Sequence, residues 1–150
     1  MNREDSFYIE RYNENIIRLR KVLDDLPEFC REFFRGIEHN TSILTRVNYA
    51  YDLRIFFNYL TEYVDEFRAT SPIDFTIEQL NSVTMTHIEM FLHHISLYKN
   101  EDDVEYTNKE SGKARKLSTI RSLFAYFYKK GKLQENVASL VDLPKIHEKP

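Results

Sequence analysis

From Ala50 the apolar side chains recur at Leu53, Phe57, Leu60, Val64 and Phe67, in alternating steps of three and four. A helix with 3.6 residues per turn brings such positions onto one face, whereas a strand would gather every second residue. The same period runs through Ile9, Tyr12, Ile16, Leu19, Leu23 and Leu26, and again through Ile88, Phe91, Leu92 and Ile95. It returns at Leu117, Ile120, Phe124 and Phe127. With three glycines and four prolines in 150 residues, the chain has few places for the tight turns of a β-sandwich. The pattern predicts an all-α fold, and at this length a single core.

The breaks between stripes carry their own signals. Pro27 suits the first turn of a second, shorter helix with Cys30, Phe33, Phe34 and Ile37 inward. The stretch from Gly36 to Asn40 ends it, and Thr41 or Ser42 caps the helix that follows, expected to be the longest. Ser71 and Pro72 mark a turn, followed by a short helical piece and a helix capped by Thr84 or Thr86. Residues 98–112, polar and acidic with no helical period, read as an exposed loop. Gly131 reads as a C-cap, ahead of a short turn and an extended tail.

Several classes of chemistry lack their residues. No apolar run has the length of a bilayer span, and the opening MNREDSFYIERYNE is too charged for a secretory signal, so a cytoplasmic protein without membrane contact is expected. One cysteine, Cys30, makes neither an internal disulfide nor a thiolate zinc cluster. Glu89 and His93 lie one turn apart with His87 and His94 nearby, too few ligands for a metal site. Asn100 to Asp103 lack the glycine and the ligand pattern of a calcium loop. There is no glycine-rich phosphate loop and no cysteine–histidine pair, so no cofactor or metal is expected. The aromatic series Phe56, Phe57, Tyr59, Tyr63 and Phe67 has the spacing of core packing.

Charge is distributed unevenly. Residues 1–110 carry 12 basic and 21 acidic side chains, a net −9, while 111–150 carry 9 and 3, a net +6. Between Gly112 and Leu133 there are seven Lys or Arg and no acid. Opposite the apolar stripe of that segment the period places Arg115, Thr119, Ser122, Tyr126 and Lys129, flanked by Lys116, Ser118 and Arg121. A face of cations and hydroxyls without carboxylates can approach phosphates closely, which an Asp or Glu would oppose. The alternative reading is a helical protein-interaction module whose basic face meets an acidic partner.

Two segments resemble a known family. SILTRVNYAYDLRIFFNYL is similar to the S-x-x-T-x-x-x-Y-x-x-D-L-x-x-F pattern that opens the SAM-like, or core-binding, domain of tyrosine recombinases and phage integrases, with Ser42, Thr45, Tyr49, Asp52, Leu53 and Phe56 at its positions. ARKLSTIRSLFAYFYKKGKLQENVASLVDLPK resembles the family's second signature, a basic helix, a glycine, an N-P-A turn and an L-P-K exit. Val137 stands where the family usually has the proline of that turn.

The resemblance implies a SAM-like bundle of four to five helices over residues 39–141, preceded by an N-terminal helical extension at 1–38 and followed by the start of a linker at 142–150. It implies a domain that clamps double-stranded DNA against the protein's own C-terminal catalytic domain, with other recombinase protomers on the same DNA, as in DNA integration and recombination by mobile elements. The family's chemistry is strand exchange through a phosphotyrosyl intermediate. Its catalytic constellation belongs to the C-terminal domain, so no catalytic residue and no cleavage are expected of these 150 residues, which read as a piece of a longer recombinase. By motif position the DNA contacts are Thr45, Arg46 and Asn48 on the first helix. On the second they are Lys113, Arg115, Lys116, Thr119, Arg121, Ser122 and Lys129.

Overall fold

A computed structural model describes residues 2–96 and 111–143, together with the backbone of 98–99, 105–106 and 110. Helix α1, Arg3–Leu23, opens on Asn2, whose side-chain oxygen accepts from the Asp5 amide at 2.9 Å. After a turn at Pro27 comes α2, Phe29–Gly36, then a 3-10 turn at Glu38–Asn40. Helix α3, Ile43–Tyr63, is followed by 3-10 turns at Asp65–Phe67 and Pro72–Asp74. Two short helices, α4 (Ile77–Leu80) and α5 (Met85–His94), lead to an antiparallel pair of two-residue strands, β1 (Tyr98–Lys99) and β2 (Glu105–Tyr106), in which Tyr98 faces Tyr106. Helix α6, Glu110–Lys129, and a 3-10 turn at Val137–Leu140 complete the described chain. The fold is all-α; the strand pair falls within the segment read as a loop, most of whose other residues lie outside the described ones.

Helix starts follow side-chain chemistry. Ser42, rather than Thr41, caps α3, its Oγ accepting from the Thr45 amide at 3.1 Å. Thr76 with Gln79, and Thr84 with His87, form reciprocal capping boxes on α4 and α5, each satisfying two otherwise orphaned amides. At the end of α6, Gly131 has φ 76°, a left-handed conformation that costs glycine little, and the Lys132 amide returns to the Phe127 carbonyl at 2.9 Å.

Helix α3 is the axis of the bundle. Its buried residues, Val47, Ala50, Asp52, Leu53, Phe56, Phe57 and Leu60 among them, surround much of the helix, as expected of one covered on several sides. It packs against α1, α5 and α6. Phe56 meets Phe91 of α5 edge-on at 5.2 Å, while Phe29 bridges Phe57 and Phe127 at 5.7 and 5.5 Å. Val22, Leu26, Cys30, Phe33 and Phe34 join the same core, so the carboxyl end of α1 and all of α2 belong to the bundle. Two expectations are corrected. Helix α3 stops at Tyr63, because Val64 is extended, and Phe67 enters the core from a 3-10 turn. Ile9 and Tyr12 do not face a core; with Phe7, Tyr8 and Ile17 they stay about half exposed on the outside of α1.

Candidate nucleic-acid interface

Helix α6 is buried through Lys116, Leu117, Thr119, Ile120, Leu123, Phe124 and Phe127. Its outward line is Ser111, Arg115, Ser118, Ser122, Ala125 and Lys129, at steps of four, three, four, three and four, with Ser122 half-buried and the rest exposed. Small side chains thus separate two cations by nearly four helical turns, with no carboxylate between them. Such a strip lets the helix backbone come close to a polyanion while its ends supply charge.

This line differs from the sequence reading, which set Thr119 and Tyr126 on the outside. Thr119 is fully buried, and Tyr126 packs its ring edge-on against Phe33 at 5.7 Å. The reason is Leu123. Counting it with Leu117, Ile120, Phe124 and Phe127 turns the apolar face, and the opposite face then moves off Thr119 and Tyr126 onto Ser118 and Ala125.

Other expected contacts divide by location. Arg46 lies inside, donating to the carbonyls of Glu38 (3.2 Å) and Thr41 (2.6 Å) and to Thr41 Oγ1 (3.2 Å), which ties the turn before α3. Arg121 donates to the carbonyls of Ala138, at 3.2 Å, and Val141, fastening the last 3-10 turn to α6. Lys116 is buried beside Asp52. These three, with Thr119, are expected from the sequence as DNA contacts; in the structure protein partners hold them instead. Lys113 is half-buried in the early turns of α6. Thr45 is half-buried, its Oγ1 accepting from Ser42 Oγ at 2.9 Å, and Asn48 is exposed.

Asp52 joins the two helices. Its Oδ1 accepts from Arg115 Nη2 at 2.9 Å and lies 3.9 Å from Lys116 Nζ, and its Oδ2 accepts from Thr119 Oγ1 at 2.9 Å. Burial raises the Asp52 carboxyl above its ordinary value, opposed by Arg115, the Thr119 hydroxyl and Lys116. Burial likewise lowers Lys116, opposed by Asp52. Each charge is tolerated because the other stands beside it. In sequence Asp52 has no expected role beyond its motif position. The available signal was its place on one face with Tyr49, Leu53 and Phe56, a carboxylate within an apolar stripe.

Elsewhere the geometry offers little chemistry. His87 Nδ1 accepts from the Thr84 amide at 3.0 Å, so it serves a cap. Among the described residues no group of His, Cys, Asp and Glu could hold a metal ion, and no helix is long and apolar enough to cross a membrane. Cys30 is fully buried, and burial pushes its thiol far above the ordinary range.

Over 126 residues, 84% of its length, the chain is 34% identical to the tyrosine recombinase XerC of Natranaerobius thermophilus. It spans 35% of that protein. No family model and no solved structure matches it. The similarity supports kinship with tyrosine recombinases at the level of the family.

Proposed function

From this kinship with tyrosine recombinases, we propose that the chain is a SAM-like core-binding domain that lays α6 and the amino end of α3 on duplex DNA, while a catalytic domain elsewhere in the protein closes on the opposite side. The observation that carries the reading is the acid-free strip from Ser111 to Lys129 on a chain whose first 110 residues are net acidic. Arg115 and Lys129 meet phosphates, Ser118, Ser122 and Ala125 allow close approach, and Asn48 and Thr45 add polar contacts from α3. Arg46, Lys116, Thr119 and Arg121 keep this surface in shape from behind. The domain binds and the catalytic half of the recombinase cuts, so this surface needs no nucleophile.

The test is duplex binding by this chain across a salt series, for the native protein and for Arg115→Ala and Lys129→Ala. Affinity is expected to fall linearly in log salt, with the slope shallower by about one for each cation removed. Binding that ignores both substitutions overturns the docking face. Failure to bind DNA at low salt, with capture of an acidic protein through the same two cations, would favour the protein-interaction reading instead.

A further inference from the structure

The guanidinium of Arg115 belongs to the outward strip, yet it is tied to a carboxylate that is only 2% exposed. Arg115 itself keeps 55% of its side chain exposed. A surface arginine that only needed to attract phosphate would be left to move, and burying a carboxylate behind it is costly unless the geometry is used. The arrangement is well determined. Asp52 sits mid-helix on α3, its second oxygen is fixed by Thr119, and Lys116 approaches from within the core. The guanidinium fork has five N–H donors; the bond from Nη2 to Asp52 occupies one edge and leaves others for a second acceptor. With one carboxylate between two cations, the cluster retains a positive surplus beside the strip.

We infer that Asp52 is a positioning residue for DNA: it holds Arg115 extended on the outward face, so that the guanidinium meets a phosphate already ordered. This rests on the DNA-binding reading and assigns Asp52 a part in it. A pre-ordered arginine loses less rotamer freedom on binding than a mobile one, which raises affinity without adding a contact. The consequence runs against simple charge counting. Removing the negative charge of Asp52 makes the protein more positive, yet it weakens binding, because Arg115 is released.

The experiment measures duplex-DNA affinity at 0.1 M salt for the native chain, Arg115→Ala, Asp52→Asn and the double variant, with thermal unfolding of each as the check on folding. Losing one phosphate contact costs about eightfold at that salt, from a slope of about 0.9 per contact. Asp52→Asn is expected to lose several-fold, and the double variant to bind no more weakly than Arg115→Ala alone. Arg115→Lys, a surface change that leaves the buried acid in place, gives the same answer should Asp52→Asn unfold. It keeps the charge, and with it the counterion release, but lacks the fork, and is expected to lose part of what Arg115→Ala loses. If Arg115→Ala binds as the native chain does, the DNA face fails and the inference with it. If Arg115→Ala weakens binding but Asp52→Asn strengthens it, or the two losses multiply in the double variant, the face stands and the positioning role is overturned. Full affinity in Arg115→Lys likewise overturns the positioning role alone.

Discussion

Helices α1 and α6 are nearly equal in length, 21 and 20 residues, and both show an apolar stripe at helical spacing. Helix α6 uses its stripe against α3, α2 and the last 3-10 turn. Among the described residues, helix α1 packs its carboxyl end, through Leu19, Val22 and Leu23, against α3, while Phe7, Tyr8, Ile9 and Tyr12 remain exposed. Hydrophobic period therefore says which face a helix would bury, and whether a surface exists to receive it is decided by the rest of the chain. The outer faces differ in the opposite sense. That of α1 mixes Glu4, Asp5, Glu10 and Glu14 with Arg11 and Arg18, whereas the outward line of α6 has no acid from Ser111 to Lys129.

The largest test of this contrast is truncation in the buried stripe. Phe127 is fully buried and meets Phe29 and Tyr126 edge-on at 5.5 and 5.1 Å. Phe127→Ala is expected to cost about 3–5 kcal/mol in chemical unfolding, through lost apolar burial and a cavity that the surrounding rings fill incompletely. A loss below 1 kcal/mol would mean that α6 is no better anchored than the amino end of α1.

A smaller effect sharpens how closely α6 is held. At Gly36 a Cβ would stand 2.3 Å from Cε2 of Tyr126 and 2.6 Å from its Cζ and hydroxyl. That ring has little room to retreat, since it sits against both Phe33 and Phe127. Gly36→Ala is expected to destabilise by about 1–3 kcal/mol as the helices are forced apart, despite alanine's better helix propensity. Pairing it with Tyr126→Leu should recover part of the loss in the double variant, the coupling expected of residues in contact.

How much was legible in the sequence follows from the range of each interaction. Ser42, Thr84 and Gly131 were readable as caps because a cap bonds residues at most a few positions away. The inward residues of α2 and α5, and Leu117, Ile120, Phe124 and Phe127 of α6, were readable because period alone picks them out. Bonds that reach beyond the span of a cap decided what was missed. Arg46, Arg121 and Lys116 look like solvent-facing cations in sequence, and each is drawn inward by a partner: carbonyls 5 and 8 residues upstream, carbonyls 17 and 20 residues downstream, and the charge of Asp52 on another helix. The small-residue strip of α6 was one residue out of register for a local reason, the omission of Leu123. Its acid-free character was legible from the start.

The last prediction concerns α1, where the expected effects are smallest and their gradient carries the information. Phe7, Ile9 and Tyr12 lie outside, Leu19 and Leu23 are partly buried, and Val22 is buried. Alanine substitutions should therefore change stability by less than about 0.5 kcal/mol at Phe7, Ile9 and Tyr12, since exposed positions lose little contact and alanine favours the helix. The cost should climb through Leu19 and be greatest at Val22, where buried methyl groups are lost. Unfolding curves for Phe7→Ala, Leu19→Ala and Val22→Ala at one protein concentration give the gradient. A flat profile with every cost above 1 kcal/mol would place the amino end of α1 against a surface after all and remove the contrast with α6. A rise only towards the carboxyl end would show that the two stripes, alike in sequence, differ because α3 receives α1 along only part of its length.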